Sequence, residues 1–231
     1  MSRFRAVVFD IGQTLVYYPF PLNWSKNYRP AFESLAKDLN LSITEHEYAH
    51  IVSVLTRYNT RIIPRAMEVS SDTIFREILE GTDIPLSYLD KVKNGFYSYF
   101  CTEAVLYPES LGVLTELKRR GVITATYSDV AYGMDNDYVL NDIKPLLGYI
   151  DLPYTTNDIG FRKPSLKGME RLASEMNVDL TQIVFVGDEK KDIECAKSAG
   201  SLGVLINRDG ELKEYGQDLE ISSLEGVLSL F

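Results

Sequence analysis

The run Ala6-Val-Val-Phe9 leads straight into Asp10, and that junction constrains the fold more than any other feature of the chain. Apolar, largely β-branched residues without polar alternation suit a central strand of a parallel sheet, covered on both faces. The pattern returns three times. Residues 121–127 lead to Ser128 and Asp129, residues 182–187 to Asp188, and residues 202–207 to Arg208. Between them lie helical patterns. Residues 109–121 place Leu111, Leu114 and Leu117 at threefold spacing and close on Lys118, Arg119, Arg120 and Gly121. Residues 164–178 repeat the design with Leu166, Met169, Leu172, Ala173 and Met176, and residues 222–231 read as a final helix. Alternating strands and helices predict an α/β doubly wound, mostly parallel, Rossmann-like sheet. In such sheets ligands bind beyond the carboxyl ends of the strands, which singles out Asp10, Ser128, Asp129 and Asp188.

Residues 17–105 break the alternation. Four amphipathic helices are expected there, over 30–40, 43–58, 70–81 and 87–100; the second opens on a capping box, Thr44 to Glu47, with Ile43 stapled to Tyr48. The expected division is a core of residues 1–16 and 106–231 and an all-α unit of residues 17–105. With 231 residues, 45% of them hydrophobic, the chain can bury a core for both.

A net charge of −9 argues against nucleic acid or an anionic membrane surface as partner. No run approaches the roughly 18 apolar residues of a spanning helix. Two cysteines, Cys101 and Cys195, give no disulfide framework, so a reducing, cytoplasmic setting is expected, with the chain a monomer or homodimer.

Asp10-Ile-Gly-Gln-Thr14, Ser128-Asp129, the loop GFRKPS with Lys163, and VFVGDEKKD with Asp188 and Asp192 resemble, in order, the four motifs of the haloacid dehalogenase superfamily. The helical insertion resembles that superfamily's type 1 cap. The resemblance implies a Mg²⁺-dependent phosphohydrolase acting through an aspartyl-phosphate on a small phosphorylated metabolite. Asp10 is then the nucleophile. Asp10, the Gly12 carbonyl and Asp188 hold Mg²⁺, with Asp192 joining through a metal-bound water. Ser128 hydrogen-bonds the phosphoryl group, Asp129 adjoins it in the substrate site, Lys163 offsets its charge, and Thr14 braces the loop. The chemistry needs these types: a carboxylate attacking a phosphate brings like charges together, and a hard cation with a lysine neutralises them.

Position 12 departs from the family. Most phosphatases of the superfamily carry a second aspartate there as general acid and base; Gly12 has no side chain, and the Gln13 amide does not titrate. Three outcomes stay open: a substrate with a good leaving group, a proton from a cap residue, or a catalytically weak phospho-ligand binder. A dehalogenase proper is a further alternative, but it needs no metal and leaves Asp188 and Asp192 unexplained. Arg57 and Arg61, one helical turn apart, are candidate anion contacts from the helical unit, and Tyr17, Tyr18, Trp24 and Tyr28 are candidates for pocket wall or helical core. A rival of another class is a zinc peptidase, since His46-Glu47-Tyr-Ala-His50 matches H-E-x-x-H with Glu68 and Asp72 downstream. Against it, Glu47 is already assigned to the capping box and Pro64 interrupts the approach to a third ligand.

Overall fold

The computed structural model describes residues 3–21 and 23–231. Its first strand, β1 (Ala6–Phe9), leads into the short β2 (Val16–Tyr17). Four helices follow: α1 (Trp24–Leu39), α2 (Glu45–Tyr58), α3 (Ser71–Glu80) and α4 (Leu89–Phe100). The chain returns through β3 (Val105–Leu106), antiparallel to β2, so the two ends of the helical segment are tied side by side.

The remainder alternates: α5 (Ser110–Arg119), β4 (Ile123–Ser128), α6 (Asn136–Asn141), β5 (Leu152–Thr155), α7 (Thr156–Ile159), α8 (Leu166–Met176), β6 (Ile183–Gly187), α9 (Lys190–Ala199), β7 (Leu202–Ile206) and β8 (Leu219–Ile221). The sheet order is β5-β4-β1-β6-β7-β8, every pair parallel. β1 is central as predicted, because its alternate side chains bury on opposite faces. Val7 and Phe9 join Val113, Leu114 and Leu117 of α5, whereas Ala6 and Val8 join Met169 and Leu172 of α8 and Ala196 of α9. Each such large side chain contributes about 1.5 to 3 kcal/mol by burial.

The helical segment has its own apolar cluster, which includes Phe32, Ile51, Phe75 and Phe96. This cluster also takes Val130, Tyr132 and Met134 from the loop after β4, beyond the expected boundary. Tyr132 adopts left-handed φ (53°), a conformation few residues other than glycine take, and is fixed there by hydrogen bonds with the hydroxyls of Tyr28 and Tyr97. Two edge strands escaped the sequence reading. β5 contains Pro153, which an edge position tolerates, and β8 is only three residues long. The expected C-terminal helix is a 3-10 segment, Leu224–Leu230, whose Leu224 and Val227 plug the sheet face.

Candidate active site

Register brings the polar strand ends together. Phe9 pairs with Thr126 on one side and Val186 on the other, so Asp10, Ser128 and Asp188 emerge at neighbouring points of one sheet edge. Asp192 reaches them from the first turn of α9, where its Oδ2 accepts the Glu189 N–H at 2.9 Å and closes a capping box. Gly187 makes this possible: a Cβ there would stand 2.3 Å from Asp192 Oδ2. Carboxylate oxygens of Asp10, Asp188 and Asp192 lie within 4.8 Å of one another.

Lys163 bridges two of the three. Its Nζ lies 2.6 Å from Asp10 Oδ1 and 2.6 Å from Asp192 Oδ1, with the ammonium fully buried. Burial alone lowers a lysine pKa, but the charges of Asp10, Asp192 and Asp129 outweigh it and hold Lys163 well above the ordinary range. Asp188 is different. Among the described residues it has no hydrogen bond and no ion pair, and burial, reinforced by the charges of Asp10 and Asp192, pushes its carboxyl up to about 8. An unpartnered carboxylate beside two others makes a cluster of hard oxygen donors, and this donor set fits Mg²⁺. Asp10, Gly12, Ser128 and Asp188 line a cavity of about 630 Å³ between sheet edge and helical unit.

Residues 4–200 match the family model for haloacid dehalogenase-like hydrolases. The chain belongs to that family. This haloacid dehalogenase-like hydrolase is similar to a glyceraldehyde 3-phosphate phosphatase of Methanothermobacter thermautotrophicus, 24% identical, with 93% of this chain and 89% of the relative covered. Two solved structures share its fold. A HAD phosphatase from Thermococcus onnurineus superposes with TM-score 0.61 at 22% identity, over 98% of this chain and 97% of that one. A 2-haloacid dehalogenase from Pseudomonas syringae does so with TM-score 0.69 at 16% identity, over 98% and 97%.

Not every expected contact is where the sequence put it. Arg57 does not line the hydrolase's cavity; its guanidinium pairs with Glu77 of α3. α2 ends at Tyr58, so Arg61 lies in the following turn and does not share a helical face with Arg57. Arg61 does line the cavity, but it pairs with Glu189 at 2.9 Å. Asp129 lines it too, with its carboxylate engaged: Oδ1 accepts the Lys163 N–H at 3.1 Å, and Oδ2 lies 3.1 Å from Lys191 and 3.6 Å from Arg162. It braces the Lys163 segment rather than presenting a free group to substrate. Of the four early aromatics, Tyr18 and Trp24 line the cavity, Tyr28 is buried in the helical cluster and Tyr17 packs on Tyr107.

The zinc constellation is not assembled. Glu47 accepts N–H groups from Thr44 and Asp83, His50 Nε2 faces the Glu77 carbonyl at 3.0 Å, and the one acidic or histidine metal cluster among the described residues is that of Asp10, Asp188 and Asp192. Sequence reading missed the segment that packs along the loop carrying Lys163. Glu68 is buried between Arg162 and the Thr156 hydroxyl, and backbone bonds Glu68 N–H to Gly160 O and Arg162 N–H to Ala66 O lay residues 66–68 along the Lys163 loop. Glu68 enters the sequence reading only as a downstream residue of the zinc alternative.

Proposed function

We propose that the protein is a Mg²⁺-dependent phosphohydrolase that acts through an aspartyl-phosphate on a small phosphorylated metabolite in a reducing, cytoplasmic compartment. Residues 1–16 and 106–231 form the catalytic core and residues 17–105 the cap. The observation that carries this reading is the partnerless Asp188 carboxyl beside the Asp10–Lys163 pair. Asp10, Asp188 and the Gly12 carbonyl would hold Mg²⁺, which, when bound, offsets phosphate charge so that a carboxylate can approach it. Asp10 Oδ1, held by Lys163, attacks phosphorus; Lys163 then neutralises the oxygens that gather charge. The Ser128 hydroxyl, at the end of β4 on the cavity wall, donates to a phosphoryl oxygen and fixes its orientation. Asp192 keeps Lys163 aimed, and Asp129 keeps its backbone in place. The cap wall excludes bulk water until the leaving group has departed, after which water reaches the aspartyl-phosphate. A dehalogenase reading gives Asp188 no task. The test is a screen of phosphorylated metabolites with and without Mg²⁺: phosphate release that requires Mg²⁺ and disappears in Asp10→Asn supports the reading, and release indifferent to chelation overturns it.

A further inference from the structure

Gly12 has no conformational reason to be glycine. Its φ is not left-handed, and a Cβ added there would meet only Tyr18 Cε2, at an ordinary 3.5 Å. The space beside it belongs instead to the Tyr18 ring, whose hydroxyl donates to Asp142 Oδ2 at 2.8 Å. Tyr18 is set by β2, just after the Asp10 loop, and Asp142 by the end of α6; both line the cavity that holds Asp10.

From this geometry, and resting on the phosphohydrolase reading above, we propose that Asp142, positioned by Tyr18, is the general acid that gives the leaving group its proton in place of residue 12. Elimination points the same way. Among the described residues, five carboxyl side chains line the cavity: Asp10, Asp129, Asp142, Asp188 and Glu189. Asp10 is the nucleophile and Asp188 belongs to the cation cluster. Asp129 and Glu189 are ion-paired, and Lys191 and Arg61 hold Glu189, despite its burial, near 2, always ionised. Asp142 has no ion pair among the described residues. Burial pushes its carboxyl above the usual range while the Tyr18 hydrogen bond pulls it down, and the other titratable group acting with it is the Cys101 thiol, itself pushed up to about 11. Tyr18 occupies Oδ2 and leaves Oδ1 for the proton.

The step balances. Asp10 Oδ1 forms a bond to phosphorus as the bond from phosphorus to the ester oxygen breaks, and the Asp142 proton passes to that oxygen, so an alcohol leaves and Asp142 becomes a carboxylate. Returning water restores it: the water oxygen binds phosphorus, the bond to Asp10 breaks, and the water's proton goes to Asp142.

The test compares kcat/KM for an alkyl phosphate, such as ethyl phosphate, with that for 4-nitrophenyl phosphate, both with Mg²⁺. This constant reports steps through leaving-group departure and is blind to later hydrolysis of the aspartyl-phosphate. Asp142→Asn is expected to lower the alkyl constant by roughly 10² or more and the nitrophenyl constant by less than about tenfold, because nitrophenolate departs without a proton. Tyr18→Phe, which keeps the ring, shows the same selectivity in weaker form and carries the test if Asp142→Asn does not fold. Gly12→Asp added to either variant restores the alkyl constant. Equal losses on both substrates, no loss on the alkyl ester, no rescue by Gly12→Asp, or a wild type that turns over only the nitrophenyl ester would each overturn the proposal. A wild type inactive on both esters, and on the wider screen, would instead overturn the phosphohydrolase reading on which it rests.

Discussion

Lys163 Nζ stands 2.6 Å from Asp10 Oδ1 and, on its other side, 2.6 Å from Asp192 Oδ1. One buried ammonium thus holds Asp10 in place and offsets two buried carboxylates. Removing one partner of such a pair leaves uncompensated charge, which costs about 3 to 5 kcal/mol. Lys163→Ala is therefore expected to lower unfolding free energy by about that amount and to abolish turnover, as read by urea titration and phosphate release. A variant of wild-type stability would show that the pair is dispensable to the fold.

Asp188 makes the site pH-dependent in a definite direction. Its carboxyl moves from an ordinary 3.8 to about 8 on folding without a metal, so between those values the folded chain binds more protons than the unfolded one. Stability from this group is then lost as pH rises from about 4 to about 8. Melting temperature in EDTA should fall across that window, and Mg²⁺ should stabilise the protein more near pH 8 than near pH 5, because the cation takes the ionised form. Asp188→Asn should flatten the EDTA profile and weaken both Mg²⁺ dependence and rate. An EDTA profile that rises with pH in the wild type and is unchanged in the variant would contradict the assignment.

Glu68 and Arg57 offer a contrast between ion pairs. Glu68 and Arg162 have side chains only 4% and 5% exposed, and Glu68 also takes the Thr156 hydroxyl at 2.6 Å. Glu68→Ala should cost about 3 kcal/mol or more and loosen the segment over the Lys163 loop. Arg57 is 55% exposed on its side chain and faces Glu77 outside the cavity, so Arg57→Ala should change stability by less than about 1 kcal/mol and leave KM unaltered. Differential scanning calorimetry with steady-state kinetics reads both.

The H-E-x-x-H match is a helix start. Glu47 accepts the Thr44 N–H at 2.7 Å and the Asp83 N–H at 2.6 Å, so Glu47→Ala should lower stability by about 1 to 2 kcal/mol. His46→Ala should leave metal dependence as it was, and stoichiometric zinc lost with that substitution would reverse this conclusion.

The strand ends were legible in the sequence because parallel register fixes where the residues after each strand emerge; Asp10, Ser128 and Asp188 needed only the apolar runs before them. Asp192 was legible as a motif member, but not its bond to the Glu189 N–H or the room that Gly187 gives it, since both depend on how α9 closes on β6. Arg57 misled because helical spacing does not say which side of the helix the cavity meets, whereas Arg61, beyond the end of α2, lines the cavity paired with Glu189. Asp142 carries no motif at all. It lies at the end of the short helix α6, and only the fold brings it to Tyr18, 124 residues away.

The most direct test of the central claim is to quench Mg²⁺-supported turnover in acid, digest at low pH and locate the phosphoryl group by mass spectrometry. A single phosphoryl on the peptide at Asp10, absent when EDTA is present and absent from Asp10→Asn, is the predicted result. A phosphoryl group on another residue, or turnover that persists in Asp10→Asn, would contradict it.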